Sequence, residues 1–280
     1  MIRLLAIDID GTLLDSRGRV PDANRAAVAD AVGRGIEVAL VTGRSVHFSR
    51  PIVDALGVPV TLVVNNGAVV KSAAGDTELR HLLERQVARS VLEETRAYED
   101  SVAIVFDRPD ERQVVFERMD WTHPNRRGYF EKNKAFIAHA GAPLAEMLSE
   151  DPIQVMFNGA VAAMRELTGA LEASLLAARF SVSVTEYEHR DFSLVDVNAA
   201  GCSKGSTLAE WASRRGFHAA EVMAVGDNLN DLDMLAYAGT PVVMGNASGA
   251  LKARADRQWH VTASNDEDGL AKAIRTFIRT

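Results

Sequence analysis

The residues best suited to catalysis in this sequence are two acids near its start, Asp8 and Asp10. They lie in an apolar strand that begins at Leu4. Acids in such a place are costly to bury unless they have a task. Alternate side chains of an extended segment point the same way, so both carboxyl groups can face one crevice. A carboxylate can attack phosphorus when a cation offsets the repulsion between two anions. A neighbouring acid can protonate the leaving oxygen and then deprotonate the attacking water.

We therefore interpret Asp8 as a candidate nucleophile and Asp10 as a candidate general acid and base. Gly11 follows them and lets the backbone turn tightly near a phosphate. For an isolated pair of acids before a glycine, the alternative is a capped turn or a calcium loop. The choice between these readings depends on what the other motifs place at the same edge of the fold.

A second motif, Thr42-Gly43-Arg44, follows a second apolar strand. A threonine hydroxyl and a glycine amide at a strand-to-helix junction suit a phosphate oxygen. Read alone, Thr42 is a helix N-cap. Arg44 can contact a substrate or complete a surface ion pair.

A third motif places Lys204 directly before a predicted helix. A lysine there can neutralise both a nucleophilic carboxylate and a bound phosphate. The alternative is a solvent-facing lysine, which is the usual state of this residue type. The other motifs favour the first interpretation.

A fourth motif runs from Gly226 to Asp231, after the apolar strand Val222–Val225. Its carboxylates suit Mg²⁺, which prefers a few oxygen ligands together with waters and substrate oxygens. We predict Asp227 as a direct ligand, and Asp231 as a further ligand or as support for Asp227. Read alone, turns rich in Asn and Asp are helix caps.

The histidines offer no rival metal centre, because they are scattered and none has zinc-ligand spacing. His189 and Arg190 lie where a central insert returns to the rest of the chain, and we treat them as candidate substrate contacts. The alternative for both is a solvated loop.

Bulk composition excludes several classes of protein. The chain has 280 residues, 47% of them apolar and 25% charged, which indicates a globular protein with two domains or one large insert. A net charge of −7 argues against a nucleic-acid surface. No apolar stretch approaches the roughly 20 residues of a membrane span, and no signal peptide is recognisable, so a cytoplasmic location is expected. A single cysteine, Cys202, excludes an intrachain disulfide and is interpreted as a passive, packed thiol.

Apolar strands alternate with helices in the opening and closing parts of the sequence, which predicts an α/β fold with a doubly wound parallel sheet. We expect a Rossmann-like core from residues 1–82 and 199–280, and an inserted α+β domain from residues 83–198. The predicted core helices include one up to Leu56 with a break near Pro51. The insert is predicted to contain strands Val102–Phe106, Gln113–Phe116, Ile153–Phe157 and Phe192–Val197, and helices Glu84–Tyr98 and Ala160–Ala178.

Together these motifs resemble the haloacid dehalogenase-like phosphatase superfamily, and within it the Cof-type members with a type IIB cap. The order of the four motifs is matched in full: Asp8-x-Asp10-Gly-Thr, Thr42-Gly43-Arg44, Lys204-Gly205 and Gly226-Asp227-Asn228-x-Asn230-Asp231. Two further segments resemble the same group: Asn65-Asn66-Gly67-Ala68 and Met244-Gly245-Asn246-Ala247. The insert matches by location and size more than by its residues.

The resemblance implies roles for these positions. Asp8 is expected to be phosphorylated and to bind Mg²⁺, and Asp10 to act as acid and base while its carbonyl binds the metal. The remaining expected roles are phosphate binding by Thr42, Gly43, Lys204 and Asn230, metal binding by Asp227 and Asp231, and possible substrate contacts at Arg44, Asn66, His189 and Arg190. The insert is expected to act as a cap that sets substrate identity.

The expected function is therefore a Mg²⁺-dependent phosphatase that acts on a small phosphorylated metabolite, with sugar phosphates foremost. Nucleotides, cofactor precursors and pyridoxal phosphate stay open. A phosphomutase or phosphotransferase is the alternative enzyme, and a non-catalytic sugar-phosphate sensor is the alternative binding protein. A dehalogenase is disfavoured by the acid at Asp10, and a dinucleotide-dependent oxidoreductase by the lack of G-x-G-x-x-G after a strand. No nucleic-acid or membrane partner is expected, and a monomer or homodimer fits the composition.

Overall fold

The computed structural model describes residues 1–108, 111–255 and 258–278. The chain divides into two compact units. We name Met1–Arg80 with Ser203–Thr280 the core unit, and His81–Cys202 the insert unit. The sequence also predicts a role for each domain, catalysis for the core and substrate specificity for the cap. These domains and their roles stay a prediction.

Strands and helices alternate through the core unit and mix less regularly in the insert. The strands are β1 (Leu4–Ile7), β2 (Glu37–Val41), β3 (Thr61–Val64), β4 (Val69–Lys71), β5 (Thr77–Arg80), β6 (Val102–Val105), β7 (Val114–Phe116), β8 (Ile137–His139), β9 (Gln154–Gly159), β10 (Phe180–Tyr187), β11 (Phe192–Ala199), β12 (Val222–Gly226), β13 (Thr240–Val243) and β14 (His260–Val261). The α-helices are α1 (Asp22–Gly33), α2 (Val46–Leu56), α3 (Arg85–Glu94), α4 (Pro124–Asn133), α5 (Val161–Glu172), α6 (Lys204–Arg214), α7 (Leu232–Tyr237), α8 (Gly249–Arg254) and α9 (Gly269–Phe277).

The core unit is built on an eight-stranded sheet with the order β14-β13-β12-β1-β2-β3-β4-β5. Strands β14 to β3 in that order run parallel. Leu4 and Ala6 of β1 pack with apolar residues of α6, α7 and α8. Leu5 and Ile7 face the opposite side and are equally buried. Both faces of the sheet are therefore covered, which confirms the predicted doubly wound fold.

Strand β1 lies at the point where the connections of the core sheet change direction. The chain runs from β1 through β2 to β3 on one side, and from β12 through β13 to β14 on the other. In such sheets a ligand crevice forms beyond the carboxyl ends of the strands at this switch point. The acidic motifs after β1 and β12 therefore lie at adjacent strand ends.

The insert unit is a six-stranded sheet with the order β10-β11-β9-β6-β7-β8. Its neighbours pair antiparallel except for β7 and β8, which are parallel. Apolar side chains of β9 and β11 alternate towards a core shared with α3 and α5, with members such as Val87, Phe157, Leu167 and Val195. The insert is thus an α+β unit with its own apolar core, as predicted.

Several details differ from the sequence predictions. Strands β4 and β5 extend the core sheet in the antiparallel sense, because the chain reverses at Asn65–Gly67 and again between β4 and β5. The predicted break near Pro51 is wrong, since α2 passes through that residue without interruption. A proline has no N–H to donate, so the helix continues through Pro51 with one hydrogen bond fewer.

The insert unit also differs from its prediction. The helix predicted over Ala160–Ala178 ends at Glu172, and the one predicted over Glu84–Tyr98 ends at Glu94. Helix α4 and strands β8 and β10 were not predicted at all.

Cys202 is buried, in agreement with its interpretation as a packed thiol. Among the described residues, no helix is both long and apolar enough to cross a membrane.

Candidate active site

The centre of the site is an ion pair between Lys204 and Asp8. Lys204 Nζ donates to Asp8 Oδ1 at 2.7 Å, although 196 positions separate the two residues in the sequence. Asp8 directly follows β1, and Lys204 is the first residue of α6. Ser203 caps that helix, since its side chain accepts from the backbone N–H of Ser206. The cap sets where α6 begins and therefore where the lysine is presented.

Asp231 completes this cluster as a second partner of the lysine. Lys204 Nζ donates to Asp231 Oδ1 at 2.6 Å. The other oxygen, Oδ2, accepts from the backbone N–H groups of Asp227 and Asn228 at 2.9 and 3.0 Å. Asp231 is fully buried, and hydrogen-bond donors engage both of its oxygens. In this arrangement it orients the lysine and the turn that carries Asp227.

Asp227 lies close to Asp8 and is held by Thr12. Thr12 Oγ1 donates to Asp227 Oδ1 at 3.0 Å, so the first motif fixes the metal-ligand candidate of the fourth. Gly11 has φ of +84°, and a Cβ on it would lie 2.3 Å from Asp227 Oδ2. Only glycine accepts both that backbone conformation and that close approach.

Three buried carboxylates thus meet one buried ammonium. Burial, Asp231 and Asp10 raise the pKa of Asp8 to about 7, against the lowering effect of Lys204. Burial, Asp8 and Asp231 raise the pKa of Asp227 well above its ordinary value. Burial alone would lower the pKa of Lys204, but the carboxylates of Asp231 and Asp8 outweigh it and raise that pKa. The cluster therefore carries more negative charge than its single lysine neutralises.

This charge imbalance fits a divalent cation. Carboxylate oxygens of Asp8, Asp227 and Asp231 lie within 4.8 Å of one another, and all three residues are buried. Hard oxygen donors without sulfur or imidazole are the set that Mg²⁺ prefers. Since Asp231 already accepts three hydrogen bonds, Asp8 and Asp227 have the carboxylate oxygens best suited to an ion.

Asp10, the predicted acid and base, is held by Arg44. The guanidinium makes two hydrogen bonds to this carboxylate, from Nε to Oδ2 and from Nη2 to Oδ1, each 2.6 Å long. The side chain of Asp10 is 38% exposed and that of Arg44 is 33% exposed. Sequence reasoning placed Arg44 as a possible substrate contact, whereas the structure makes it the partner of Asp10. Its role towards a substrate stays a prediction.

The remaining phosphate-binding candidates of the core unit gather around the end of β2. Thr42 is buried, and its Oγ1 accepts from the backbone N–H of Arg44 at 3.1 Å. Asn66 is 0% exposed, and its Oδ1 accepts from Asn230 Nδ2 at 3.0 Å. A Cβ on Gly43 would lie 3.2 Å from the same Asn66 oxygen. Asn66 is also a predicted substrate contact; its side chain accepts a hydrogen bond from Asn230, and its role towards a substrate stays a prediction.

His189 and Arg190 belong to the insert unit. Both lie in the short turn between β10 and β11 and are exposed. Arg190 Nε donates to His189 Nε2 at 3.0 Å, and the carbonyl oxygen of Arg190 accepts from Asn125 Nδ2 at 3.3 Å. Their role as substrate contacts stays a prediction.

Sequence reasoning missed two residues that shape the site. Thr12 was quoted within a motif but given no task, and it orients Asp227. Asn246 donates from Nδ2 to the carbonyl oxygen of Gly11 at 2.8 Å and accepts from the N–H of Asn265 at 2.9 Å. It therefore ties the loop after β13 to the loop after β1. The resemblance of Met244–Ala247 to the family was the signal that could have found it.

Comparison with known proteins identifies the class. The family model of the haloacid dehalogenase-like hydrolases matches residues 5–274, and this chain belongs to that family. The predicted family and the predicted enzyme class, a hydrolase, are confirmed.

Two relatives are similar to this chain over almost their whole length. The 5-amino-6-(5-phospho-D-ribitylamino)uracil phosphatase YcsE of Bacillus subtilis is 29% identical, over 99% of this chain and 96% of the relative. The HMP-PP phosphatase of Serratia proteamaculans is 30% identical, over 100% of this chain and 97% of the relative.

A solved structure supports the same assignment. A phosphatase of the haloalkanoate dehalogenase superfamily from Bacteroides thetaiotaomicron superposes with a TM-score of 0.76 at 28% identity. The match covers 99% of this chain and 95% of that one.

Proposed function

We propose that this chain is a Mg²⁺-dependent phosphatase of small phosphate monoesters that works through a phosphoryl-aspartate intermediate on Asp8. The observation that carries the proposal is the buried cluster of Asp8, Lys204 and Asp231, with Asp227 beside it. A lysine held by two carboxylates at the switch point of an α/β sheet has no evident structural task. It suits an anion that carries a transferable group.

Asp8 and Asp227, with the main-chain carbonyl of Asp10, would hold Mg²⁺, and the ion would supply positive charge against the phosphate. Asp231 would keep Lys204 and the amides of residues 227 and 228 in position. Because burial and neighbouring acids raise the pKa of Asp8, its carboxylate needs this positive surrounding to be ionised when it attacks.

The residues of the chain divide the reaction between them. Asp8 forms the bond to phosphorus, and the leaving oxygen takes a proton from Asp10. Lys204 and the side chains of Thr42 and Asn230 hold the phosphoryl oxygens as their charge redistributes. Asp10 then accepts a proton from the water that attacks phosphorus and breaks the bond to Asp8. Inorganic phosphate leaves, and the aspartate is restored.

Arg44 adds a condition to this sequence. It engages both oxygens of Asp10, so at least one of these hydrogen bonds must be exchanged before the acid reaches a leaving group. The same guanidinium keeps the carboxylate close to the site. We therefore assign Arg44 to the placement of Asp10.

The substrate class rests on the relatives. Both YcsE and the Serratia enzyme are named as phosphatases, and the substrate in the name of YcsE is a uracil that carries a phosphorylated ribityl group. We propose a small phosphorylated metabolite for this chain as well, with phosphorylated sugars and sugar alcohols foremost.

A panel of phosphate esters with and without MgCl₂ tests the proposal. Wild type is expected to release inorganic phosphate from at least one ester without a second acceptor. Asp8→Asn and Asp10→Asn should each lower kcat by about a thousandfold or more. Asp54→Asn, at an exposed position of α2, is the matched control and should be unaffected.

The intermediate has its own test. Asp10→Asn should accumulate a phosphorylated protein that intact-mass spectrometry detects after an acid quench, and the double variant with Asp8→Asn should not. Release of no phosphate from any ester by wild type, with both aspartate variants indistinguishable from it, would refute the enzyme. Turnover that requires a second sugar would indicate a phosphotransferase instead.

A further inference from the structure

The turn Asn65–Gly67 touches two of the segments that the proposed function places around a phosphate. The backbone N–H of Asn65 donates to the carbonyl of Arg44 at 2.9 Å, and that of Asn66 to the carbonyl of Thr42 at 3.0 Å. A Cβ on Gly67 would lie 2.3 Å from the carbonyl oxygen of Ser203, which precedes Lys204. The turn is thus packed against the end of β2 and the start of α6.

The backbone of this turn is strained. Asn65, Asn66 and Gly67 have φ of +50°, +54° and +103°, three left-handed residues in a row. Glycine adopts this region freely, whereas asparagine adopts it at some cost. A buried asparagine in such a conformation therefore points to a use for its side chain.

The side chain of Asn66 lies between two phosphate-binding candidates. Its Oδ1 accepts from Asn230 Nδ2, and it lies next to Gly43 closely enough that a Cβ there would be 3.2 Å away. Asn66 is 0% exposed, and this hydrogen bond directs its Oδ1 towards Asn230. Because the Asn66 carbonyl oxygen accepts from the Asn230 amide, it sets the orientation of the Asn230 side chain.

We propose that Asn66 is a positioning residue: it holds the Asn230 amide in the orientation that binds a phosphoryl oxygen, and it does not contact the substrate itself. The proposal rests on the proposed function for the role of Asn230. It gives Asn66 a role other than the predicted substrate contact, and it gives the strained turn a task in the reaction.

A double-mutant cycle separates this role from a direct one. Asn66→Gly removes the amide and keeps a residue that accepts φ of +54°. Asn230→Ala removes the group that Asn66 is proposed to hold. Each single variant should raise KM and the Kd for inorganic phosphate, measured with MgCl₂ by calorimetry, by about five- to tenfold, as expected for one lost hydrogen bond. The double variant should stay within about twofold of Asn230→Ala, because Asn66 acts through that residue.

Two further measurements keep the test sharp. In a ¹⁵N-labelled sample the side-chain amide signal of Asn230, assigned by its loss in Asn230→Ala, should shift in Asn66→Gly. Asp268→Gly is the matched control, since Asp268 is also a left-handed residue of the core unit, with φ of +58°. It should leave KM, the phosphate Kd and the Asn230 signal unchanged.

Multiplicative effects in the double variant would overturn the proposal, because Asn66 would then act independently of Asn230. Unchanged KM and Kd in either single variant would overturn it as well. So would a fall in Tm for Asn66→Gly much larger than for Asp268→Gly, since the amide would then hold the fold. A wild type that turns over no ester would instead count against the proposed function, and the phosphate Kd and the Asn230 signal would still decide the inference.

Discussion

The two units satisfy their buried polar side chains in different ways. In the core unit, buried charges converge beyond the ends of parallel strands, where Lys204 pairs with Asp8 and Asp231. In the insert unit, buried polar groups lie along the strands themselves, as where Gln154 Nε2 donates to Asp196 Oδ1 at 2.7 Å. A buried polar group needs a partner in either case. The first arrangement gathers three carboxylates and an ammonium at one place, which suits a metal ion and a phosphate.

The most buried cations of the two units show the same contrast. Lys204 is 1% exposed and pairs with two carboxylates. Arg126 of the insert is 9% exposed and donates to Asn158 and to main-chain carbonyls instead. We therefore expect the chemistry to take place in the core unit, and the polar groups of the insert sheet to support the fold. Substitutions at matched positions of the two units test this difference.

The largest expected difference is between Lys204→Met and Arg126→Met. Lys204→Met should lower kcat by about a thousandfold, because a phosphate-binding charge is lost where charge develops. Arg126→Met should leave kcat within about twofold and lower Tm by roughly 5 °C, because buried acceptors lose their donor. Steady-state kinetics and thermal unfolding check both. Equal losses of kcat would show that the insert takes part in the chemistry.

A smaller difference is expected between Asp231→Asn and Asp196→Asn, two buried carboxylates that each accept hydrogen bonds. Asp231→Asn should lower kcat by roughly fiftyfold, because Lys204 loses one of its two anionic partners and is less well placed. Asp196→Asn retains an acceptor for Gln154 and should leave kcat within about twofold. An inactive Asp196→Asn that is still folded by circular dichroism would contradict the comparison.

A third test compares one bidentate arginine–carboxylate pair from each unit. Arg44 holds Asp10 in the core unit, and Arg165 holds Glu186 in the insert with bonds of 2.8 and 2.7 Å. Lysine cannot reproduce either fork. Arg44→Lys should lower kcat by about tenfold, since the acid is less well placed. The side chain of Arg165 is 56% exposed. Arg165→Lys should therefore leave kcat unchanged and change Tm by no more than about 2 °C. A full loss of activity in Arg44→Lys would indicate contact with substrate.

The last prediction concerns stability rather than rate. The pKa of Asp8 is raised from 3.8 to about 7, so folding favours the protonated acid, and this contribution is lost as the pH rises through that interval. Metal-free Asp8→Asn should therefore exceed wild type in Tm by an amount that grows from pH 4 to pH 7, reaching roughly 5 °C. Added MgCl₂ should reduce the difference. Differential scanning fluorimetry in EDTA checks this, and a constant difference would refute the raised pKa.

Much of the site could be anticipated because it depends on strand ends. Asp8, Thr42 and Asp227 each follow an apolar segment of the core, and the carboxyl ends of parallel strands meet at one edge. The structure brings their motifs to that edge. The assigned roles of these residues stay predictions until the variants are measured.

Other features could not be anticipated because they depend on which side chains meet. Nothing in the pattern of residues distinguishes an Arg44 that contacts substrate from one that holds Asp10 with two hydrogen bonds. The same holds for Asn66, whose partner Asn230 is 164 positions away. The antiparallel strands β4 and β5 were not predicted because each is only three or four residues long, which is too short to show a clear periodicity.

The class of fold and the order of the motifs could be derived from the sequence alone, because runs of apolar residues and the breaks between them are local properties of the chain. Only the folded structure shows which side chains meet. Lys204 pairs with Asp8 and Asp231, Arg44 holds Asp10, and Thr12 contacts Asp227. Each contact joins groups far apart in sequence, and hydrogen-bond partners are selected over distances of about 3 Å that only the folded sheet establishes.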